Sequence, residues 1–263
     1  MHLQAWAAGA RAVTGKGGGV KPVVFAGPTL WKDPVLQAED LAWLPPAGQG
    51  DVYRIAHKRP PAIGLIDGRF ETCPAVWHKE ILCALTQGIP VYGAASMGAL
   101  RAAELYPFGM IGVGAIYECY RSGEWEDDDE VAVVHSPVEL GCQPLTEAMA
   151  DIRATLKGAE EAGIVSRRTA GLLTAFAKSL FFKDRTWATV LTHPSLAKAS
   201  RQDMKRLAGW LPQNRVEQKR IDALAMIGIM REHCSARKRR FRPAFKFQDT
   251  VNWRRLTETA PAD

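Results

Sequence analysis

Short apolar runs alternate with helical periodicity along the first half of the chain. Val23 to Gly27, Ala62 to Gly68, Ile89 to Tyr92 and Val131 to Ser136 read as strands. They are nearly all apolar, as strands covered on both faces are. Between them, apolar spacing at three and four residues predicts helices. One starts at Asp33-Pro34 and is broken by Pro45-Pro46, and others run from Asp51 to Lys58 and from Pro74 to Thr86. A helix follows Ser96, with Leu100, Ala103 and Leu105 turned inward, and another spans Ala115 to Arg121, after a glycine-rich turn within Ile111 to Ile116. Strands alternating with helices predict an α/β fold built on an open, mostly parallel, Rossmann-like sheet. From Glu139 onward the pattern is helical only: Thr146 to Glu161, Ser166 to Phe182, Trp187 to Leu191, Arg201 to Trp210 and Val216 to His233. The expected organisation is a flexible leader (1–21), an α/β core (22–137) and a mainly helical C-terminal region (138–263).

Composition fits this picture. The 263 residues are 47% hydrophobic and 24% charged, as in a soluble globular protein with a substantial core. No run is long enough to span a bilayer, and the start lacks the apolar core of a secretion signal. The net charge of +6 is concentrated late, in Arg237 to Arg240 and Arg242. A solvated basic end explains it, and no nucleic-acid partner is expected. The aromatic, basic stretch from Phe241 to Phe247 either docks on a partner or folds back on the core. Five widely spaced cysteines, with no CxxC pair, signal neither a disulfide framework nor zinc. A reduced, cytoplasmic setting is expected.

Candidate chemistry gathers at strand ends, where open α/β sheets place their sites. In Gly93-Ala94-Ala95-Ser96-Met97-Gly98 a strand turns sharply into a helix through small residues. The spacing nearly matches the G-x-S-x-G nucleophile elbow, with Ala94 in place of the first glycine. Ser96 is therefore a nucleophile, an anion cradle at a helix start, or a cap. Asp67 ends a strand and could orient a base, hold a metal or cap a turn. His78 and His135 are candidate bases, and His78 reads more readily as a hydrogen-bonded packing or interface histidine. The Gly27–Thr29 turn is a candidate binding loop. Arg101 either clamps an anion or pairs with Glu104 three residues on. The acidic run Glu124 to Glu130 reads as a solvated loop, with a divalent cation as the sharper alternative.

Several ordered segments carry a resemblance. They are Val24 to Leu30, Ile66 to Phe70, His78 to Leu82, Gly93 to Glu104, Phe108 to Gly112 and Asp128 to Ala132. Together, Val23 through Pro137 resembles the TfuA-like core domain; the helical half has no comparable match. The resemblance implies a partner of YcaO enzymes, which use ATP to activate a backbone amide and, with a TfuA partner, install sulfur as a thioamide in ribosomally made peptides. It implies help in recruiting or releasing sulfur, with a thiocarboxylated carrier and a precursor peptide as further partners. No cofactor or metal of the chain's own is expected; ATP belongs to the YcaO enzyme.

On this basis the catalytic set is Ser96, His78 or His135, and Asp67. The binding set is Gly27, Thr29, Gly68, Lys79, Glu80, Met97, Gly98, Arg101 and Glu104. Ser96 would attack the thiocarboxylate carbonyl, a histidine would take its proton, Asp67 would orient that base, and the N–H groups of Met97 and Gly98 would hold the oxyanion. In a second version Ser96 only binds an anion and the chain is a noncatalytic adaptor for the YcaO enzyme. In a third, Cys73, Cys83 or Cys119 carries sulfur, although Cys83 and Cys119 sit in apolar helix patterns that suit core packing. An unrelated serine hydrolase is a weaker reading, because Ala94 departs from the elbow pattern.

Overall fold

The computed structural model describes residues 13, 19–69, 73–193, 199–236 and 243–259. The basic run from Arg237 to Arg242, and the leader apart from Val13 and Gly19 to Lys21, lie outside the described residues.

Five parallel strands form one sheet: β1 (Val23–Phe25), β2 (Ala42–Leu44), β3 (Ile63–Leu65), β4 (Val91–Ala94) and β5 (Ile111–Val113), in the order β2-β1-β3-β4-β5. Helices α1 (Asp51–His57), α2 (His78–Thr86), α3 (Met97–Leu105) and α4 (Ala115–Ser122) connect or follow the strands. The later helices are α5 (Met149–Glu161), α6 (Arg167–Ser179), α7 (Trp187–Thr192), α8 (Arg201–Asn214), α9 (Gln218–Ser235) and α10 (Val251–Thr259). The α/β class, parallel sheet and helical C-terminal region match the expectation.

Alternation along the strands sends Val23, Phe25, Ile63 and Leu65 to one face, where they pack with Ile81, Leu85, Ala99 and Ala102 of α2 and α3. Val24, Tyr92 and Ala94 point to the other face. That face is covered by α9, through Ala223, Met226, Ile227 and Met230. Gly64 admits this helix: a Cβ there would lie 2.7 Å from Met230 Sδ. Helices α5 to α8 form their own cluster around Met149, Ile152, Leu156, Leu173, Trp187 and Leu207. The late aromatic segment folds back: Phe245 packs edge-on against Phe108, and Phe247 against Trp253 of α10.

Five expectations are corrected. The helix from Asp33 is a single 3-10 turn, Pro34–Gln37, whose Val35 N–H donates to Asp33 Oδ1 at 2.8 Å. The apolar residues after it form the edge strand β2. The glycine turn within 111–116 is preceded by strand β5, too short to show periodicity. Leu100 and Ala103 are only partly buried; the buried face of α3 is Gly98, Ala99, Ala102 and Leu105.

Finally, Val131 to Ser136 is not a sheet strand. It runs across the strand ends and pairs locally with 143–145, through Ser136 N–H to Gln143 O, Leu145 N–H to Val134 O and a His135–Pro144 bridge. Part of the acidic run fixes it there rather than lying solvated. Arg153 grips Glu130 with two 2.9 Å bonds, and Lys178 reaches Asp127, Asp129 and Glu130. Arg185, with no exposed surface, donates to the Asp129 carboxylate at 2.7 Å and to three carbonyls. Asp127, Asp129 and Glu130 are thus spent on cations of the chain itself, while Glu124, Glu126 and Asp128 stay exposed as expected.

Candidate functional site

Connections leave the adjacent strands β1 and β3 toward opposite faces of the sheet, the point at which open α/β sheets place a crevice at the carboxyl ends of their strands. A cleft of about 750 Å³ opens there, of a size that takes a small ligand or a chain end. Its lining includes Asp67, Gly68, Ser96, Met97, Arg101 and His135.

Asp67 is buried just beyond β3. Its Oδ2 accepts from the N–H groups of Gly27 (2.8 Å) and Thr29 (3.1 Å), and its Oδ1 from the Thr29 hydroxyl (2.6 Å). Lys219 Nζ of α9 lies 4.0 Å from Oδ1 and donates to Val131 O at 2.9 Å. Both groups are buried, so each offsets the desolvation of the other. Asp67 therefore shapes the first turn after β1, and Lys219 ties α9 to the cleft's floor and far wall. The role of orienting a histidine is corrected, since both carboxylate oxygens are engaged elsewhere.

Ser96 stands on a tight turn. Its N–H donates to Ala94 O at 2.8 Å across Ala95, whose φ is +68°. This is a γ-turn of the rare positive-φ sense, and a left-handed alanine costs roughly 1–2 kcal/mol. Strain of this kind collects at functional sites. The Ser96 side chain makes no cap bond to α3, which overturns the cap reading. Among the described residues its hydroxyl has no hydrogen-bond partner.

Two glycines allow the helix to start so low. A Cβ on Gly98 would lie 1.7 Å from Leu65 O, and one on Gly93 would lie 2.1 Å from Gly98 O. The same approach takes Gly98 out of the expected oxyanion pair, because its N–H donates to Ile66 O at 3.2 Å. Met97 N–H is left as the turn's donor without a backbone partner among the described residues. The Met97 side chain covers Gly68, where a Cβ would meet its Cε at 2.1 Å.

The two histidines separate. His135 lines the cleft, and its Nδ1 lies 2.7 Å from Ser136 O. A ring N–H on Nδ1 donating to that carbonyl leaves Nε2 as the basic nitrogen. His78 is not among the cleft-lining residues; its Nε2 is 2.8 Å from Glu104 Oε2. That oxygen also accepts from Arg101 Nη1 at 2.7 Å. Burial pushes Glu104 upward, but the bonds from His78 and Arg101 outweigh it and hold the carboxyl below its ordinary value. Arg101 is thus both the expected ion-pair partner and a cleft residue, steadied by Nε donating to Val76 O at 2.9 Å.

Lys79 and Glu80 are likewise away from the cleft. Lys79 Nζ binds Gln248 O (2.6 Å) and Thr250 Oγ1 (2.9 Å), fastening the C-terminal segment. Buried Glu80 accepts from the N–H groups of Trp77 (2.9 Å) and Tyr53 (3.3 Å), with burial pushing its carboxyl upward. Of the cysteines proposed to carry sulfur, burial raises Cys83 and pushes Cys119 up to about 11, away from the nucleophilic thiolate.

Sequence reasoning missed Lys219 and the wall pinned by Arg185. Neither has a local signal, because Val131, the bonded partner of Lys219, is 88 residues away in sequence.

Residues 67–186 match the family model described as TfuA-like protein. The chain carries a TfuA-like domain. The match begins at Asp67 and takes in Ser96, Arg101, His135 and the cleft's far wall. It extends past Pro137 through α5 and α6, where the sequence reading found no likeness, and leaves out β1 to β3. TfuA-like proteins are partners of YcaO enzymes in making ribosomally produced, modified peptides, and this is the general role the domain assigns. No curated protein matches the chain. Among the described residues, no helix of the chain is long and apolar enough to cross a membrane.

Proposed function

We propose that this chain releases sulfur for a YcaO enzyme that installs a thioamide in a ribosomally made precursor peptide, by opening the thiocarboxylate of a cytoplasmic carrier protein. The observation that carries this reading is Ser96: a hydroxyl without a bonded partner among the described residues, presented into a cleft by a strained turn, with His135 in the same cleft.

In the first step Ser96 Oγ bonds to the thiocarboxylate carbon and passes its proton to His135 Nε2. The carbon–sulfur bond then breaks, and the proton goes from His135 to the departing sulfur, giving hydrosulfide and a carrier ester on Ser96. In the second step water, deprotonated by His135, attacks the ester. The carrier leaves as a carboxylic acid that gives its proton to solvent, and the proton held by His135 returns to Ser96. Met97 N–H is the oxyanion donor. Arg101 holds the charged chain end. Sulfide passes to the YcaO enzyme, which alone uses ATP. In this division the α/β core, 22–137, supplies the nucleophile, and the helical region, 138–263, backs the far wall.

A specific observation favours a second reading, the noncatalytic adaptor. Asp67 is committed to Gly27 and Thr29, and His135 Nδ1 faces the Ser136 carbonyl, so among the described residues no acid completes a serine–histidine–acid triad. In that case Ser96 and Met97 N–H only bind a carboxylate. The test is to incubate the protein with a thiocarboxylated carrier and follow sulfide together with carrier mass. Sulfide and carboxylate carrier appearing in equal amounts support release. No turnover, alone or with the YcaO enzyme, leaves the adaptor.

A further inference from the structure

Residues 131–139 line the cleft without a break. Side chains of an extended segment alternate between two faces, so an unbroken run of lining residues means that backbone also faces the cleft. Hydrogen bonds fix which edge it is. Val134 N–H donates to Thr146 Oγ1 at 2.8 Å, and Val134 O accepts from Leu145 N–H at 2.8 Å. Ser136 N–H donates to Gln143 O at 2.8 Å. These bonds flank the antiparallel bridge between His135 and Pro144, which makes that pair a non-hydrogen-bonded one. The N–H and C=O of His135 therefore point away from 143–146, and the alternation carries those of Val133 to the same outer edge. Residues 143–146 are not among those lining the cleft, so the outer edge is the one turned to it.

Among the described residues, neither the N–H nor the C=O of Val133 or His135 has a partner. The segment is closed on either side of them. Val131 O accepts from Lys219 Nζ at 2.9 Å, and Pro137 has no N–H to offer. What stays open is a short strand edge, two like-facing residues about 6.6 Å apart. An open edge is a template on which an extended chain adds through its main chain. Set inside a cleft of about 750 Å³, this one admits a single chain and not a neighbouring sheet.

We propose that the outer edge of Val133 and His135 is a strand-addition site, on which an extended polypeptide tail lies with its C-terminus toward Ser96. This rests on the release reading above, in which the tail is the carrier's, and adds how the residues before the thiocarboxylate are held. The two N–H and two C=O groups of the edge read the tail's main chain, so its side chains need only room.

The probe is an acetylated hexapeptide acid of alanine and glycine. Each backbone amide is replaced in turn by an ester, which removes one N–H, and binding to the full chain is measured by calorimetry. Replacement at two amides, two residues apart, is expected to raise Kd at least about fivefold each, as loss of one net hydrogen bond does. The amide between them stays within twofold. Losses at adjacent amides, no loss at any, or no detectable binding of the parent peptide overturns the proposal. From the protein's side, Val133→Pro removes an edge N–H while keeping an extended backbone, and the same rise in Kd is expected. A folded Val133→Pro that binds like wild type overturns the site; the ester series, run on wild type, decides whether or not that variant folds. The C-terminal amide of the peptide separates a chain end from an internal segment: Kd at least about fivefold higher supports the end, and equal Kd overturns it. If the acid binds with the alternating pattern while its thiocarboxylate form yields no sulfide, the release reading fails alone.

Discussion

Replacing Asp67 by asparagine removes a charge and almost nothing else. The amide oxygen can still accept from Gly27 and Thr29 N–H, and the Thr29 hydroxyl can turn to accept from the new NH2. What is lost is the charge facing Lys219, 4.0 Å away and 5% exposed at its side chain. Removing one partner of a buried pair costs about 3–5 kcal/mol, because the other charge stays buried. Since Lys219 keeps its bond to Val131 O, the lower end, about 3 kcal/mol, is expected. Lys219→Met alone should cost a similar amount, and the double variant should regain at least about 1 kcal/mol of the sum. Urea unfolding followed by tryptophan fluorescence gives all four values. A single variant within about 0.5 kcal/mol of wild type, which is the range of surface changes, refutes the assignment of Asp67 to the floor of the cleft. So does a stable variant whose sulfide release falls by orders of magnitude, the signature of a carboxylate that orients a catalytic base.

Three further outcomes follow from particular contacts. Gly98→Ala brings a Cβ against Leu65 O, a backbone atom that cannot swing aside, so unfolding should show a loss of at least about 3 kcal/mol, at the severe end of overpacking. Asp151, whose carboxyl burial pushes up to about 7, holds its proton longer folded than unfolded. Its contribution to stability is full below the unfolded value near 3.8 and is lost as pH rises toward 7. Relative to wild type, Asp151→Asn should therefore gain stability from pH 4 to pH 8, by a few kcal/mol at about 1.4 per pKa unit; a pH-independent difference would contradict this. Finally, His135→Gln should lower sulfide release by about 10²-fold or more, as loss of a general base does, whereas His78→Gln should leave it within a few-fold.

The central strands were legible because buried parallel strands are apolar throughout, as Ile63 to Leu65 and Val91 to Ala94 are. Strands β2 and β5 were not, because Ala42-Trp43-Leu44 continues a helix-like apolar spacing and Ile111-Gly112-Val113 reads as part of a glycine-rich turn. Val131 to Val134 has the composition of a strand, but Arg153, Lys178 and Arg185 draw the adjoining acids toward the helical region, and the segment becomes a wall. For the site, residue types at strand ends marked Asp67, Ser96 and His135 correctly as neighbours of one cleft. Their roles were not readable. Whether Asp67 faces a histidine or Thr29 depends on where a turn beyond another strand closes, and whether His78 enters the cleft depends on Glu104, 26 residues away.

The claim that matters most is that the Ser96 hydroxyl attacks. Because that hydroxyl caps nothing, Ser96→Ala should leave urea stability within about 0.5 kcal/mol of wild type. The decisive measurement is single-turnover sulfide release from thiocarboxylated carrier, with carrier binding measured on the same samples. Retained binding with release lowered by about 10³-fold or more is the expected result for a lost nucleophile. Release at the wild-type rate from Ser96→Ala would contradict the account.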